Sequence, residues 1–363
     1  MGVRTNRDST VFGFHKPTLL VHIREFIADY NGEVDRFKRA ERGTNIDDFV
    51  NYTSIKWSRD LKLDLQRGNY AVYVKNKIRE SLYRPFCKQY LFFDRILNEE
   101  VYVFPSIFPD VRSELENAVI CFSGVSHDVF YCLVSNRIVE MKFSNSANGG
   151  TQCFPFYVYD EDGGNRRENI TDWALGEFRA AYGESVTKRD IFDYVYGLLH
   201  HPAYRERYAE NLKRELPRLP LVPAEHFAAF VEAGRRLAEL HLGYEQAREH
   251  RLTWIENKDI PFSWRVERMK LSADKTALTV NPSLTLAGIP PECFRYRLGN
   301  RSALEWVIDQ YKVSTDKRSG IVSDPNRPDD EEYIARLVGR VITVSIETMQ
   351  IIDALPGLEA PEA

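Results

Sequence analysis

The side chains closest to a catalytic spacing are Asp128 and the run Glu140-Met141-Lys142, the D…ExK pattern of a common endonuclease core. On a strand Glu140 and Lys142 share one face. Two carboxylates there could hold Mg²⁺ and orient an attacking water. The same letters arise by chance on hairpin surfaces, and no acid-rich helix supports them, so a metal-dependent nuclease is the alternative and not the leading reading. His200-His201 invite a metal reading, but adjacent helical residues point in different directions, and no further ligand is spaced to join them. His241, near Glu245, reads as structural. A GxxxxGK[ST] loop is absent, which removes the sequence basis for ATP hydrolysis. The pairs Gly149-Gly150 and Gly163-Gly164 lack the strand–GxGxxG–helix context of a dinucleotide or methyl-donor site. An amino-methyltransferase of the adenine type needs Asn/Asp-Pro-Pro-aromatic to hold a flipped base. Asn281-Pro282 and Asp324-Pro325 supply only its first two letters and read as turns.

Binding chemistry is better represented. Between Lys56 and Arg95 the basic residues Lys56, Arg59, Lys62, Arg67, Lys75, Lys77, Arg79, Arg84, Lys88 and Arg95 outnumber the acids Asp60, Asp64, Glu80 and Asp94. Trp57, Tyr70, Tyr73, Tyr83, Phe86 and Tyr90 are interleaved. Lys and Arg neutralise phosphates, and planar or polar side chains reach sugars and bases. The plain counterpart is a solvated charged face whose aromatics point inward. A second polar cluster, Arg4-Thr5-Asn6-Arg7, reads by itself as a turn. The whole chain carries a formal charge of −4, so any nucleic-acid affinity must come from a local patch.

The elements that would position these groups follow from periodicity. Lys16 to Ala40 predicts a helix with Leu19, Leu20, Ile23, Phe26 and Ile27 on one face, interrupted or ended near Asn31-Gly32. The stretch 99–159 is β-rich, and residues 128–143 read as a hairpin turning near Ser135-Asn136. Thr187 with Asp190 makes a capping box for a helix carrying Ile191, Tyr194, Val195, Leu198 and Leu199, with a restart at His201-Pro202. Phe227 to His241 defines the next helix face. Strands around an Ala273–Lys275 turn, a short helix at 302–311, a long loop at 316–330 and a last helix from about Asp329 follow. The expectation is an α+β fold: residues 1–165 as an N-terminal helix plus a β-rich, locally basic recognition lobe, and residues 166–363 as a helical, bundle-like support with a small β insertion. No apolar run reaches the roughly 18–20 residues needed to cross a bilayer. The five cysteines are scattered and form no CxxC, which fits reduced thiols in a cytoplasmic protein.

DIFDYVYGLLHHPAYRERYAENLKRELPRLP (190–220) resembles the C-terminal specificity region of type ISP restriction–modification enzymes. GVRTNRD (2–8), SLYRPFCKQYLFFDRILN (81–98), QCFPFYVY (152–159) and residues 316–348 resemble further ordered blocks of that family, so the likeness covers nearly the whole chain. It implies a target-recognition domain for double-stranded DNA, without catalysis of its own, docked on methyltransferase and translocase domains of the same or a neighbouring polypeptide. S-adenosylmethionine, ATP and Mg²⁺ are implied for the full-length enzyme and no cofactor for this chain. Met1 falls where the family continues upstream, an expectation of a truncated gene product, a specificity fragment or a separate subunit. A docking domain that touches no bases is the other alternative. The expected contacts are Arg4, Asn6 and Arg7, the set Lys56, Arg59, Lys75, Lys77, Arg79, Arg84 and Lys88, and more weakly Arg318 and Arg327. Lys75 or Lys77 is the expected phosphate contact, and Arg7 or Asn6 the expected base reader. Motif residues can instead hold the fold, with Arg84 and Asp94 as a structural pair.

Overall fold

Apolar residues sort into two adjoining cores, divided by a strand whose run Val119-Ile120-Cys121-Phe122 is apolar at every position. Val119 and Cys121 enter the first core, Ile120 and Phe122 the second, because successive strand side chains alternate faces. The computed structural model describes residues 1–125, 129–144 and 149–359. The first core gathers residues from 3–153 and from 244–344. The second is built around the helices Lys188–His200 and Ala224–Leu242. The architecture is α+β with several small sheets.

Helix Lys16–Lys38 turns Leu19, Ile23, Phe26, Tyr30 and Val34 into the first core. It continues through Asn31-Gly32, against the expected break. The Asn31 amide donates to the Ala71 carbonyl and accepts from the Ala71 N–H, both at 2.9 Å. Its polarity therefore serves a tertiary contact and does not compete with the helix.

Strands Ile78–Arg84 and Cys87–Phe92 form a hairpin around Pro85-Phe86. Phe86 lies in the left-handed region at φ 57° and is fully buried, its ring meeting Tyr244 edge to face at 5.2 Å. In the four-stranded sheet Phe12–Gly13 flanks one side of this hairpin and Ile138–Val139 the other. The last pairing is parallel, Ser81 opposite Ile138. The described part of the expected 128–143 hairpin, residues 129–143, thus does not form one. Cys132–Ser135 pairs with Val119–Ser123 in a different sheet. The Ser135 hydroxyl accepts from the Arg137 N–H at 3.0 Å and turns the chain from one sheet to the other.

The Thr187–Asp190 capping box and the restart at Pro202 are present. Helices Lys188–His200 and Ala224–Leu242 cross where Gly197 faces Gly234. The later half adds a four-stranded antiparallel sheet, including the expected turn between Lys270–Leu271 and Ala277–Asn281. Arg297–Leu298 and Arg301–Ser302 form their own ladder and do not extend that sheet. Ser302 passes directly into the cap of helix Ala303–Gln310. Helix Tyr333–Asp353 closes the first core. No helix among the described residues is long and apolar enough to cross a membrane.

Candidate nucleic-acid interface

Three neighbouring recesses, each sharing lining residues with the next, make up a trough in three compartments. The first, of about 470 Å³, is lined by segment 4–10, Ser54, Lys56, residues 140–142 and the tip of a hairpin at 316–319. The second, about 340 Å³, shares Asp8, Ser9 and Asp316 with the first. The third, about 350 Å³, shares Phe14, His15 and Gln89 with the second. Charge is uneven along the trough. Six cations (Arg4, Arg7, Lys56, Arg84, Lys142 and Arg318) meet three carboxylates in the first recess. In the second, four aspartates meet only Lys312. A polyanion therefore fits the first recess and is repelled by the second.

The sequence-predicted contacts divide sharply. Arg4, Asn6, Lys56 and Arg318 come together in the first recess although they lie up to 314 positions apart. Arg4 Nε donates to Asn6 Oδ1 at 3.2 Å, and Asn6 holds a left-handed φ of 58° that turns the chain. Arg7, expected to read bases, is interior. Its guanidinium donates to the Leu97 carbonyl and the Ser58 hydroxyl, each at 2.7 Å, and lies 3.5 Å from Glu99. Burial lowers its pKa to about 10, still cationic at neutral pH. Arg79 Nε donates to Glu114 at 2.7 Å with both side chains 4% exposed. Arg84 donates to Glu140 at 2.7 Å and stacks 3.9 Å over the Tyr83 ring. These three guanidiniums tie segments together and offer no open face to a phosphate.

Lys88 pairs with Glu245 and Lys77 with Asp94, each at 2.5 Å. The expected Arg84–Asp94 pair is therefore two separate pairs, Arg84–Glu140 and Lys77–Asp94. Lys75 and Arg59 are exposed but outside the trough lining, and Arg59 pairs with Asp60 at 2.9 Å. Arg327 lies 3.2 Å over the Tyr333 ring and 3.8 Å from Glu245, at the third recess. Lys56, Arg59, Arg67, Lys75 and Arg95 thus stay exposed, and from Lys77 to Lys88 the basic stretch is an internal ion-pair system. Its alternation of charge with aromatic residues is that of a strand hairpin holding charges against buried partners.

The nuclease reading loses its geometry. Glu140 Oε2 accepts from Arg84 and from the Lys142 N–H at 2.7 Å, and Lys142 sits on a turn after the strand. Asp128 lies outside the described residues. Among the described residues no three His, Cys, Asp or Glu side chains gather as a metal site. Lys142, read from sequence only as part of that motif, instead lines the basic recess. Desolvation under the recess raises the Glu140 carboxyl to about 7, against the opposing pull of Arg84. His241 bridges Tyr196 at 2.6 Å and Thr348 at 2.9 Å inside the second core, and burial keeps it neutral.

With this geometry in view, comparison with known proteins is specific. The chain belongs to the Type ISP C-terminal specificity domain family, whose model matches residues 1–337. Among solved structures, it is similar to a nuclease-deletion mutant of the Type ISP restriction-modification enzyme LlaGI in complex with a DNA substrate mimic, with 36% identity over 99% of this chain and a TM-score of 0.87. It is similar to the ATP-dependent Type ISP restriction-modification enzyme LlaBIII bound to DNA, with 27% identity over 99% of this chain and a TM-score of 0.85. It is also similar to DrdV in a DNA complex, with 35% identity over 98% of this chain and a TM-score of 0.84. The chain spans 33%, 23% and 35% of those three chains, respectively. No curated protein matches it.

Proposed function

We propose that this chain recognises a specific sequence in double-stranded DNA as the specificity part of a type ISP restriction–modification enzyme in the cytoplasm. Methyl transfer, translocation and cleavage, with S-adenosylmethionine, ATP and Mg²⁺, belong in this reading to domains outside it. The carrying observation is the first recess, where Arg4, Lys56 and Lys142 converge, none of them within ion-pair distance of a carboxylate among the described residues. Exposed cations held apart from acids are what a phosphodiester backbone neutralises.

Duplex titration across salt tests this. Lys56→Ala is expected to weaken all sequences alike and to make the log–log salt slope shallower by roughly one unit. Lys75→Ala, outside the lining, is expected to leave the slope unchanged. If Lys75→Ala shifts the slope and Lys56→Ala does not, the DNA path lies elsewhere.

Affinity is also expected to rise as pH falls from about 8 to 6. Glu140 titrates at about 7, so lowering pH removes a negative charge beneath the bound phosphates. Bound phosphates favour the neutral carboxyl in turn, so binding takes up a proton. Glu140→Gln should flatten this dependence, and a wild-type profile flat between pH 6 and 8 counts against phosphates near Glu140.

A further inference from the structure

The long loop that follows helix Ala303–Gln310 is folded into a small, rigid finger. Ser314–Thr315 pairs with Val322–Ser323, and residues 316–321 form the tip. One carboxylate closes that tip. Asp316 Oδ1 accepts from the Ser319 N–H at 2.7 Å, the Ser319 hydroxyl at 2.8 Å and the Arg318 N–H at 3.2 Å. Gly320, at φ 71°, returns its N–H to the Asp316 carbonyl at 2.8 Å. The base of the finger is fixed as firmly. Asn326 accepts from the Val266 N–H at 2.7 Å and donates to the Val266 carbonyl at 2.9 Å, while Asp324 pairs with Arg265 at 2.9 Å.

The finger separates the two charged compartments of the trough: Arg318 and Ser319 border the basic recess, and Thr315, Val322 and Asp324 border the acidic one. Lys317 and Arg318 at its tip are exposed. Among the described residues the Arg318 side chain has one polar contact, a long 3.5 Å bond to the Tyr52 carbonyl.

We infer that this finger enters a groove of the duplex and that Arg318 is a base-reading residue, an inference that rests on the DNA-binding reading above. A two-stranded ribbon fits the major groove, and an arginine there pairs bidentately with guanine O6 and N7. Arg4, Lys56 and Lys142 line the recess behind it and serve the backbone, leaving the tip free to reach base edges. Asp316 is the positioning residue. It touches no base but fixes the turn that aims Arg318, so the ordering cost of the tip is met before binding.

The test is selection from a randomised duplex library with the 363-residue chain, followed by titration on the selected and scrambled duplexes. Arg318→Ala is expected to lose the preference for guanine at one or two adjacent positions, with roughly tenfold to hundredfold weaker binding to the selected site and little change on scrambled DNA. Asp316→Ala should reproduce that loss, and Asp316→Asn, whose amide oxygen still accepts the three bonds, should restore the preference. All three variants should keep the wild-type unfolding midpoint. Equal weakening of every sequence by Arg318→Ala, with a shallower salt slope, makes Arg318 a phosphate contact and overturns the inference. An unchanged preference overturns it as well. Wild-type protein that enriches no sequence overturns the DNA-recognition reading itself, and the inference with it.

Discussion

Arg79→Ala is expected to lower the unfolding free energy by up to about 3–5 kcal/mol, because it leaves the buried Glu114 carboxylate with only Arg137, 3.9 Å away, as a cation partner. Arg79 sits on strand Ile78–Arg84 and reaches Glu114 at 2.7 Å, the Asp110 carbonyl at 2.6 Å and the Phe108 carbonyl at 3.3 Å. It thus ties the hairpin to helix Val111–Glu116. Burial raises the Glu114 pKa even with Arg79 present, and removing the cation raises it further. A carboxyl whose folded pKa exceeds its unfolded value destabilises the fold as pH rises through that interval. The loss is therefore expected to be smaller at pH 5 than at pH 8. The double variant Arg79→Met, Glu114→Leu, which removes both charges, should recover most of the stability. Urea unfolding at the two pH values checks this. A single variant with the wild-type midpoint and weakened DNA binding would make Arg79 a surface contact. Reversing Lys75, Lys77 and Arg79 together would consequently report on folding and not on a DNA-binding face, so the basic lobe must be tested through Lys56 and Lys142.

The same residues explain what was legible in the sequence. Capping chemistry was, because the Thr187–Asp190 box closes within four residues, as does the start at Pro202. The apolar faces of helices Lys16–Lys38 and Ala224–Leu242 were legible from spacing. Ordered blocks along the chain carried the family, which the match over residues 1–337 bears out. The placement of charge was not legible. Arg79, Arg84 and Lys88 find Glu114, Glu140 and Glu245, which are 35, 56 and 157 residues away. Nothing local distinguishes an arginine that will be buried with a distant glutamate from one that will stay in water. The false hairpin at 128–143 has a similar origin: alternation fixes which face a residue takes, but not which strand it pairs with. The finger that carries Arg318 was not legible, because the loop has no strand signal and is held by Asp316 and Asn326 through side-chain bonds that period counting does not see.

Gly234→Ala is expected to destabilise the second core by about 3 kcal/mol or more, at the upper end of overpacking effects. On propensity alone the sign would be opposite, since alanine in a helix interior is favoured over glycine by about 1 kcal/mol. The crossing decides. A Cβ on Gly234 would lie 1.8 Å from the Asp193 carbonyl oxygen, 2.6 Å from its carbon and 2.9 Å from the Gly197 nitrogen. These are backbone atoms of the facing helix and cannot rotate aside, so the helices must separate. Separation opens the layer where Tyr194, Leu198, Phe230 and Leu237 are buried, and a gap of roughly half an ångström to one forfeits a large part of each contact. Gly32 supplies the control in the same protein. It lies within helix Lys16–Lys38, and a methyl group placed there would meet nothing within 4 Å, so Gly32→Ala should stabilise by up to about 1 kcal/mol. Denaturant midpoints of the two variants should therefore move in opposite directions. If Gly234→Ala leaves the midpoint in place or raises it as Gly32→Ala does, the helices Lys188–His200 and Ala224–Leu242 do not cross at Gly197 and Gly234.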